Sequence, residues 1–242
     1  MTPICELLPW DSEFFGLRDA RLTRGTMDTS ACRQALDWGA AEGVQLLYFL
    51  AADDVDSWDV ACDAGFRPKD IRVEMALDRP WPRPPEPGIS GPVVVREAVP
   101  ADLKDLLPIA SSAHTDSRFF ADAAVSRQKA HELYEVWLAR SIEKTIADVV
   151  FVAEIDGRAR SYITARIADH AGSIGLVGVG ESARGRGVGT AMVQHTLRWF
   201  TARDVRAVTV VTQGRNVMAQ RVYQRCGFLT SATRLWFHRW FQ

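Results

Sequence analysis

Lysine is close to absent from this chain. Lys69, Lys104, Lys129 and Lys144 are the only four, and every other basic residue is arginine. Phosphate-rich ligands would favour such a bias, but a GC-rich genome is the plainer source of it. No sign of charge dominates either. The formal net charge of −1 gives no electrostatic argument for nucleic acid or an anionic membrane as a partner. Cysteine is scarce and scattered: Cys5, Cys32, Cys62 and Cys226 form no C-x-x-C and lie near no His pair. That excludes a disulfide scaffold and a zinc site, and predicts free thiols in a reducing cytosol. Long hydrophobic runs are missing as well. The apolar stretch near Leu46 to Ala52 is too short to span a bilayer, and no signal peptide is visible. The expectation is a cytoplasmic protein of one or two domains, with no metal and no nucleic-acid or membrane partner.

Proline is concentrated in one place. Pro80, Pro82, Pro84, Pro85, Pro87 and Pro92, with Gly88 and Gly91, predict an extended linker over 80–92. It divides a segment 1–79 from a segment 93–242.

The most informative stretch is Arg184-Gly185-Arg186-Gly187-Val188-Gly189. It follows a predicted strand, Ile174 to Val179, and opens a predicted helix, Thr190 to Ala202, with Val193, Leu197 and Phe200 at helical spacing. The first turn of a helix has backbone N–H groups without internal partners, which Ser, Thr, Asp or Asn normally satisfies. Here glycines leave those amides bare and arginines flank them, which suits a phosphate or pyrophosphate. A P-loop is excluded because no Gly-Lys-Ser/Thr follows. A dinucleotide fingerprint is excluded because Thr190 stands where a third Gly is needed and no acidic residue closes the next strand. The spacing Arg184, Gly187, Gly189 leaves an acyl-CoA loop.

Further on, Ala207 to Val211 reads as a buried strand. Then come Asn216, Ala219, Tyr223 and Gly227-Phe228, with Asn216 placed to cap a helix and Ala219, Tyr223 and Cys226 on one of its faces. Gly227 supplies a left-handed C-terminal position. This loop-plus-helix pattern resembles the GNAT family of acyl-CoA-dependent N-acyltransferases. The resemblance implies an α/β (α+β) fold with a mixed central sheet and acetyl-CoA as acyl donor. It implies backbone contacts to the donor from Leu176, Val177 and Val179, and pyrophosphate contacts along Arg184 to Thr190. It also implies that Asn216 meets the pantetheine arm, that Ala219 makes room for it, and that Tyr223 serves as general acid toward the leaving thiolate.

The segment before the linker resembles the one after it. Leu36 to Val44 aligns with Leu197 to Val205, both leading into strands, Leu46 to Leu50 and Ala207 to Val211. The offset is 161 residues between Trp38 and Trp199, and 162 between Gly65 and Gly227. A duplication is expected, with a truncated, non-catalytic first lobe over 1–79 and a complete catalytic domain over 93–242. In the first lobe Asp28 caps the loop helix, Asp54 stands for Asn216, and Ala61 stands for Tyr223.

No carboxylate lies on the strand before the loop, so the general base stays open among Glu154, Asp169, His170 and His114, or a water chain. Glu181 sits past that strand and is expected to cap or position the loop. Two segments, Leu8 to Gly16 and Ala113 to Phe119 with the Tyr134-x-x-Trp137 helix, resemble the dTDP-fucosamine acetyltransferase group. That likeness implies a small acceptor, the amino group of a dTDP-linked 4-amino-dideoxysugar. His114, Asp116, Ser117 and Arg118 are the expected acceptor contacts, with Phe119 and Phe120 as aromatic faces. Asp116-Ser117 reads equally as a helix cap with a surface Arg118. Trp10, Phe14 and Phe15 are expected in the first lobe's core, and Leu235 to Phe241 as the last strand. Another small amine, a peptide N-terminus or a non-catalytic acyl-CoA sensor remain alternatives, and homodimer formation stays open.

Overall fold

The structure, a computed structural model, describes residues 3–79, 81 and 92–241. Most of the expected linker 80–92 therefore lies outside the described residues. The first lobe runs β1 (Cys5–Leu7), α1 (Pro9–Phe15), β2 (Asp19–Leu22), α2 (Thr29–Ala41), β3 (Leu46–Ala51), α3 (Val55–Asp63) and β4 (Arg67–Asp78). Then follow β5 (Val94–Glu97), α4 (Leu103–Ala113), α5 (Arg118–Ala121), α6 (Arg127–Ile142), β6 (Val149–Ile155), β7 (Arg158–Ala168) and β8 (Ala171–Val179). The chain closes with α7 (Val188–Thr201), β9 (Ala207–Gln213), α8 (Val217–Arg225) and β10 (Leu229–Trp240).

Among the described residues, ten strands make one mixed sheet in the order β1-β2-β3-β10-β4-β9-β8-β7-β6-β5. The offset of 162 is kept residue for residue at the ends: α3 maps onto α8 and β4 onto β10. β2 pairs parallel with β3, as β8 does with β9. The final strands are exchanged. β4 pairs with β9 of the second lobe, β10 pairs with β3 of the first, and the two run antiparallel to each other at the centre. Residues 1–79 and 93–242 therefore share a sheet rather than owning one each.

Period-2 alternation assigns the faces. Val73, Met75 and Leu77 of β4, with Ile174, Val208 and Val210, pack under α7 and α8. Leu47, Phe49 and Phe237 pack under α2 and α3. The opposite face is covered by α4, α5 and α6, around Leu106, Phe119, Leu133 and Leu138. Trp10, Phe14 and Phe15 were expected in the first lobe's core and are found in this third cluster instead. Trp10 lies 6.3 Å from Trp137 and Phe15 5.4 Å from Phe119, ring centre to ring centre, so α1 reaches across to the second lobe. Among the described residues no helix is long and apolar enough to cross a membrane.

Candidate active site

β8 and β9 run side by side only from Ala171↔Ala207 to Ile174↔Val210. Beyond that point β8 continues to Val179 and β9 to Gln213 without pairing, which opens a gap in the sheet. Its origin is local. Between Ile163 and Ala165 of β7 the register slips by one residue on β8, a bulge at Gly175 and Leu176. A Cβ at Gly175 would sit 2.6 Å from Thr164 Oγ1, so only glycine fits there. Thr164 Oγ1 accepts the Leu176 N–H at 2.8 Å, where the ladder would otherwise lose a bond. The Leu176 amide, expected to meet the acyl donor, is thus already engaged, and its side chain belongs to the α4–α6 face.

Val177 and Val179 are placed differently. Gly180 donates its N–H to the Arg160 carbonyl at 2.8 Å, and Gly178 faces Tyr162 in register. Hydrogen-bonded pairs alternate along an antiparallel ladder, so the amides of Val177 and Val179 point away from β7, into the gap. The Val179 carbonyl, on the same side, accepts from Arg184 Nε at 3.2 Å.

α7 begins at Val188, two residues earlier than Thr190. Gly187 occupies its N-cap in the left-handed conformation (φ 77°), and no side chain caps the first turn. Gly185 is left-handed too (φ 73°), which turns successive amides toward one side. Gly189 faces Val222 and Val179 at 3.7 and 3.9 Å from its would-be Cβ, between helix α8 and the rim of the gap. Arg184 is exposed, while Arg186 and Thr190 are half-buried. Glu181 is exposed in a short 3-10 turn over Glu181–Ala183, and its carbonyl accepts from the Arg184 N–H at 3.1 Å.

Across the gap lies α8. Asn216 caps it, Oδ1 accepting from the Ala219 N–H at 3.1 Å, which leaves the side-chain NH2 for other partners. Val177, Val179, Ala219 and Val222 all border the cluster that holds Tyr223 and Ile174. Tyr223 is buried, its ring 5.9 Å from Phe228. Burial, with Cys226 beside it, raises its phenol pKa far above the usual value, so it stays protonated at neutral pH.

The expected acceptor residues lie on the other face of the sheet, spread from His114 over β7 to Arg118 over β3 and β10. His114 stacks on Tyr134 (4.4 Å) and bonds the Tyr162 hydroxyl through Nε2 at 2.8 Å. Burial lowers its pKa to about 4, so it is neutral and holds the wall rather than carrying charge. Ser117 is buried at the N-cap of α5 but caps nothing, and its Oγ has no hydrogen-bond partner among the described residues. Asp116 is half-buried beside it. The guanidinium of Arg118 sits 4.0 Å from the Tyr48 ring centre, 4.2 Å from Phe119 and 4.3 Å from Trp236, with Nη1 3.2 Å from His238 Nε2. That cage draws on both lobes. Phe119 and Phe120 are correspondingly core residues, and not the open aromatic faces expected of them.

Of the candidates for the base, Glu154 is held by Arg96 (2.7 Å), and Asp169 and His170 are exposed in the β7–β8 turn. None of these three sits at the gap. Two residues that the linear pattern does not single out do matter here, Thr164 under the bulge and Asp70 on β4. Asp70 aligns with Ala232 at the offset of 162, and this difference in type is the signal the sequence holds for it.

A helix start without a side-chain cap, a split between parallel strands and a buried tyrosine thus occur in one part of the second lobe. Residues 116–228 match the acetyltransferase (GNAT) family. Sequence and fold both point to an acyl-CoA-dependent N-acetyltransferase of the GNAT family, the sequence over residues 116–228. The chain is 26% identical to the dTDP-fucosamine acetyltransferase of Escherichia coli O6:H1 over 97% of both chains. It is 27% identical to the spore coat polysaccharide biosynthesis protein SpsD of Bacillus subtilis, over 58% of this chain and 48% of that protein, so the match spans about half of that relative. A GCN5-related N-acetyltransferase from Sphaerobacter thermophilus shares the fold, with a TM-score of 0.70 at 17% identity, covering 98% of this chain and 76% of that one.

Proposed function

We propose that the protein transfers the acetyl group of acetyl-CoA directly to the amino group of a nucleotide-linked 4-amino-dideoxysugar. The observation that carries the donor half is the β8–β9 gap, with bare amides at its rim and a protonated phenol beside it. The pyrophosphate lies over the loop from Arg184 to Thr190, against the first-turn amides of α7 that no side chain caps. The pantetheine arm passes along Val177 and Val179, past Asn216 and the small side chain of Ala219. The thioester carbonyl takes its hydrogen bond from an amide on β8 in the gap, which stabilises the oxyanion as the amine attacks. Tyr223 then gives its proton to the departing thiolate.

The acceptor half is supported by the full-length likeness to a dTDP-fucosamine acetyltransferase. The amine enters from the α4–α6 face, past His114, Asp116, Ser117 and Arg118. A second reading, a different small cationic amine, is favoured by the carboxylates around Arg118: Asp11, Asp19 and Asp70 all feel its charge. Thiol release from acetyl-CoA, measured with dTDP-amino sugars against polyamines and peptides, separates the readings. Turnover confined to dTDP-amino sugars is the expected result, and inactivity on all of them sinks the sugar reading.

A further inference from the structure

Two buried carboxylate oxygens, Asp19 Oδ1 and Asp70 Oδ1, have no hydrogen-bond partner among the described residues. A buried acceptor without a partner is costly, so each calls for an explanation. Asp19 belongs to β2, four strands away from β9. Asp70 is on β4, the strand the first lobe donates to the second. In the β4–β9 ladder Arg72 faces Gln213, and the Gly214 N–H bonds the Ile71 carbonyl at 2.6 Å. Asp70 therefore stands at the C-terminal end of β9, the end at which β8 has parted from it. Two strand spacings are roughly 10 Å, and the parting of β8 widens the distance across the gap beyond that.

Its face is fixed by alternation. Val73, Met75 and Leu77 look toward α7 and α8, so Asp70 looks toward α4–α6, the acceptor side. It is 6% exposed. Ser117, also buried on this side, and Asp70 both lie next to Tyr134. At the offset of 162 Asp70 corresponds to Ala232 of β10, so the strand that completes the first lobe carries no carboxylate there.

We propose that Asp70 receives the acceptor's ammonium group and removes its proton, so that the first lobe supplies the base of the second. This rests on the amine-acylating reading above. One ammonium proton passes to the Asp70 carboxylate, and the freed nitrogen lone pair forms the C–N bond at the thioester carbonyl. The C–S bond breaks and the thiolate takes the Tyr223 proton. The remaining surplus proton on nitrogen returns through solvent to Tyr223, and Asp70 releases its own to solvent.

Burial raises the Asp70 pKa to about 6, against the opposing pull of Arg215, the Ile71 N–H and Arg118, with Asp116 adding to the rise. Tyr134 on α6 faces it as a phenol whose own pKa burial raises to about 12. On β10, His238 is neutral and bonded to Asp122, which also binds Lys69 next to Asp70.

The test compares wild type with Asp70→Asn across pH, using dTDP-4-amino-4,6-dideoxygalactose, or whichever amine the panel shows to be acetylated. Wild-type kcat/KM is expected to rise up to about pH 6 and then level off. In Asp70→Asn only amine that is already neutral reacts, so the deficit is about 100-fold near pH 7 and shrinks tenfold per pH unit toward the amine's own pKa. Acetyl-CoA affinity should be unchanged, which separates this result from a failed donor site. A deficit independent of pH, or no deficit, overturns the proposal. Carbon-13 NMR of the aspartate carboxyls reads the same group without turnover. A resonance missing from Asp70→Asn that titrates near 6 upholds it, and titration at the ordinary value near 4 overturns it.

Discussion

The two lobes have the same chain path and opposite treatments of one cleft. In the first lobe Asp28 caps α2, its carboxylate accepting from the Ala31 N–H at 2.7 Å. At the offset of 161 Asp28 corresponds to Gly189. Its neighbour Met27 donates its N–H to Ser57 Oγ at 2.8 Å, which ties the loop to α3. The counterparts are Val188 and Ala219, and a methyl group cannot accept that bond. Ser57 in turn donates to Asp54, the counterpart of Asn216. The loop also stays on its strand, Ala52 donating to the Gly25 carbonyl at 2.7 Å, where β8 and β9 part. Each substitution closes the first cleft from within, and the second is left with amides that want a ligand. Function here is read from what the protein has declined to satisfy.

Transplants between lobes break the comparison, and the largest effect is expected at Tyr223. Tyr223→Phe keeps the ring against Phe228 and removes the proton donor. A loss of kcat by about 100- to 1,000-fold with unchanged acetyl-CoA affinity is the expected steady-state result. An unaltered kcat would remove Tyr223 from the chemistry. Ala219→Ser imports the first lobe's hydroxyl and offers the Val188 amide an internal acceptor. It should weaken acetyl-CoA binding by about tenfold, the equivalent of one hydrogen bond, as measured by calorimetry.

Smaller effects belong to stability. Asp28→Ala should cost about 1 kcal/mol, the usual value of a helix N-cap, and lower Tm by about 2–4 °C while acetyl-CoA affinity stays put. His238 gives a pH signature. Burial lowers its folded pKa to about 4, against an opposing hydrogen bond to Asp122 (2.7 Å), so the folded state resists protonation. Its contribution is therefore complete above the ordinary histidine value and is lost as pH falls from about 6.5 toward 4. Asp122 adds to the same acid-side loss. Burial would raise its pKa, but hydrogen bonds from His238, Trp240 and Ala124 outweigh that and hold it well below the carboxylate range. Tm scans should show stability falling over this window, and His238→Gln should flatten the part between pH 6.5 and 4.

How much of this was legible in the chain differs by element. The loop at Arg184 to Gly189 can be read because left-handed φ values and bare amides demand glycine at fixed spacing. The early start of α7 cannot, since Gly187 in the left-handed region lets the helix open before Thr190. The offset of 162 gives α8 and β10 from α3 and β4, but the exchange of final strands is invisible. β4 and β10 alternate alike, and either pattern would pair beside β3 or β9. Trp10, Phe14 and Phe15 sit near the first lobe in sequence, yet a short α1 carries them over to α6. Thr164 escapes because a hydroxyl replacing a ladder acceptor looks like any strand threonine. Asp70 escapes because a polar residue at alternate positions reads as solvent-facing, until α4–α6 are seen to cover it.

The central claim is that one lobe alone leaves its amides open for acyl-CoA. Gly189→Asp tests it most directly, because it places the first lobe's carboxylate at the matching position. The neighbouring atoms are at 3.7 Å or more from the added Cβ, and an acidic residue in the first turn suits the helix dipole, so folding should be undisturbed. Calorimetric titration with acetyl-CoA should find one site per chain in wild type. In Gly189→Asp, at unchanged Tm, affinity should fall at least about 100-fold, the size of a buried like-charge clash. Two sites per chain in wild type, or undiminished binding by Gly189→Asp, would contradict the account.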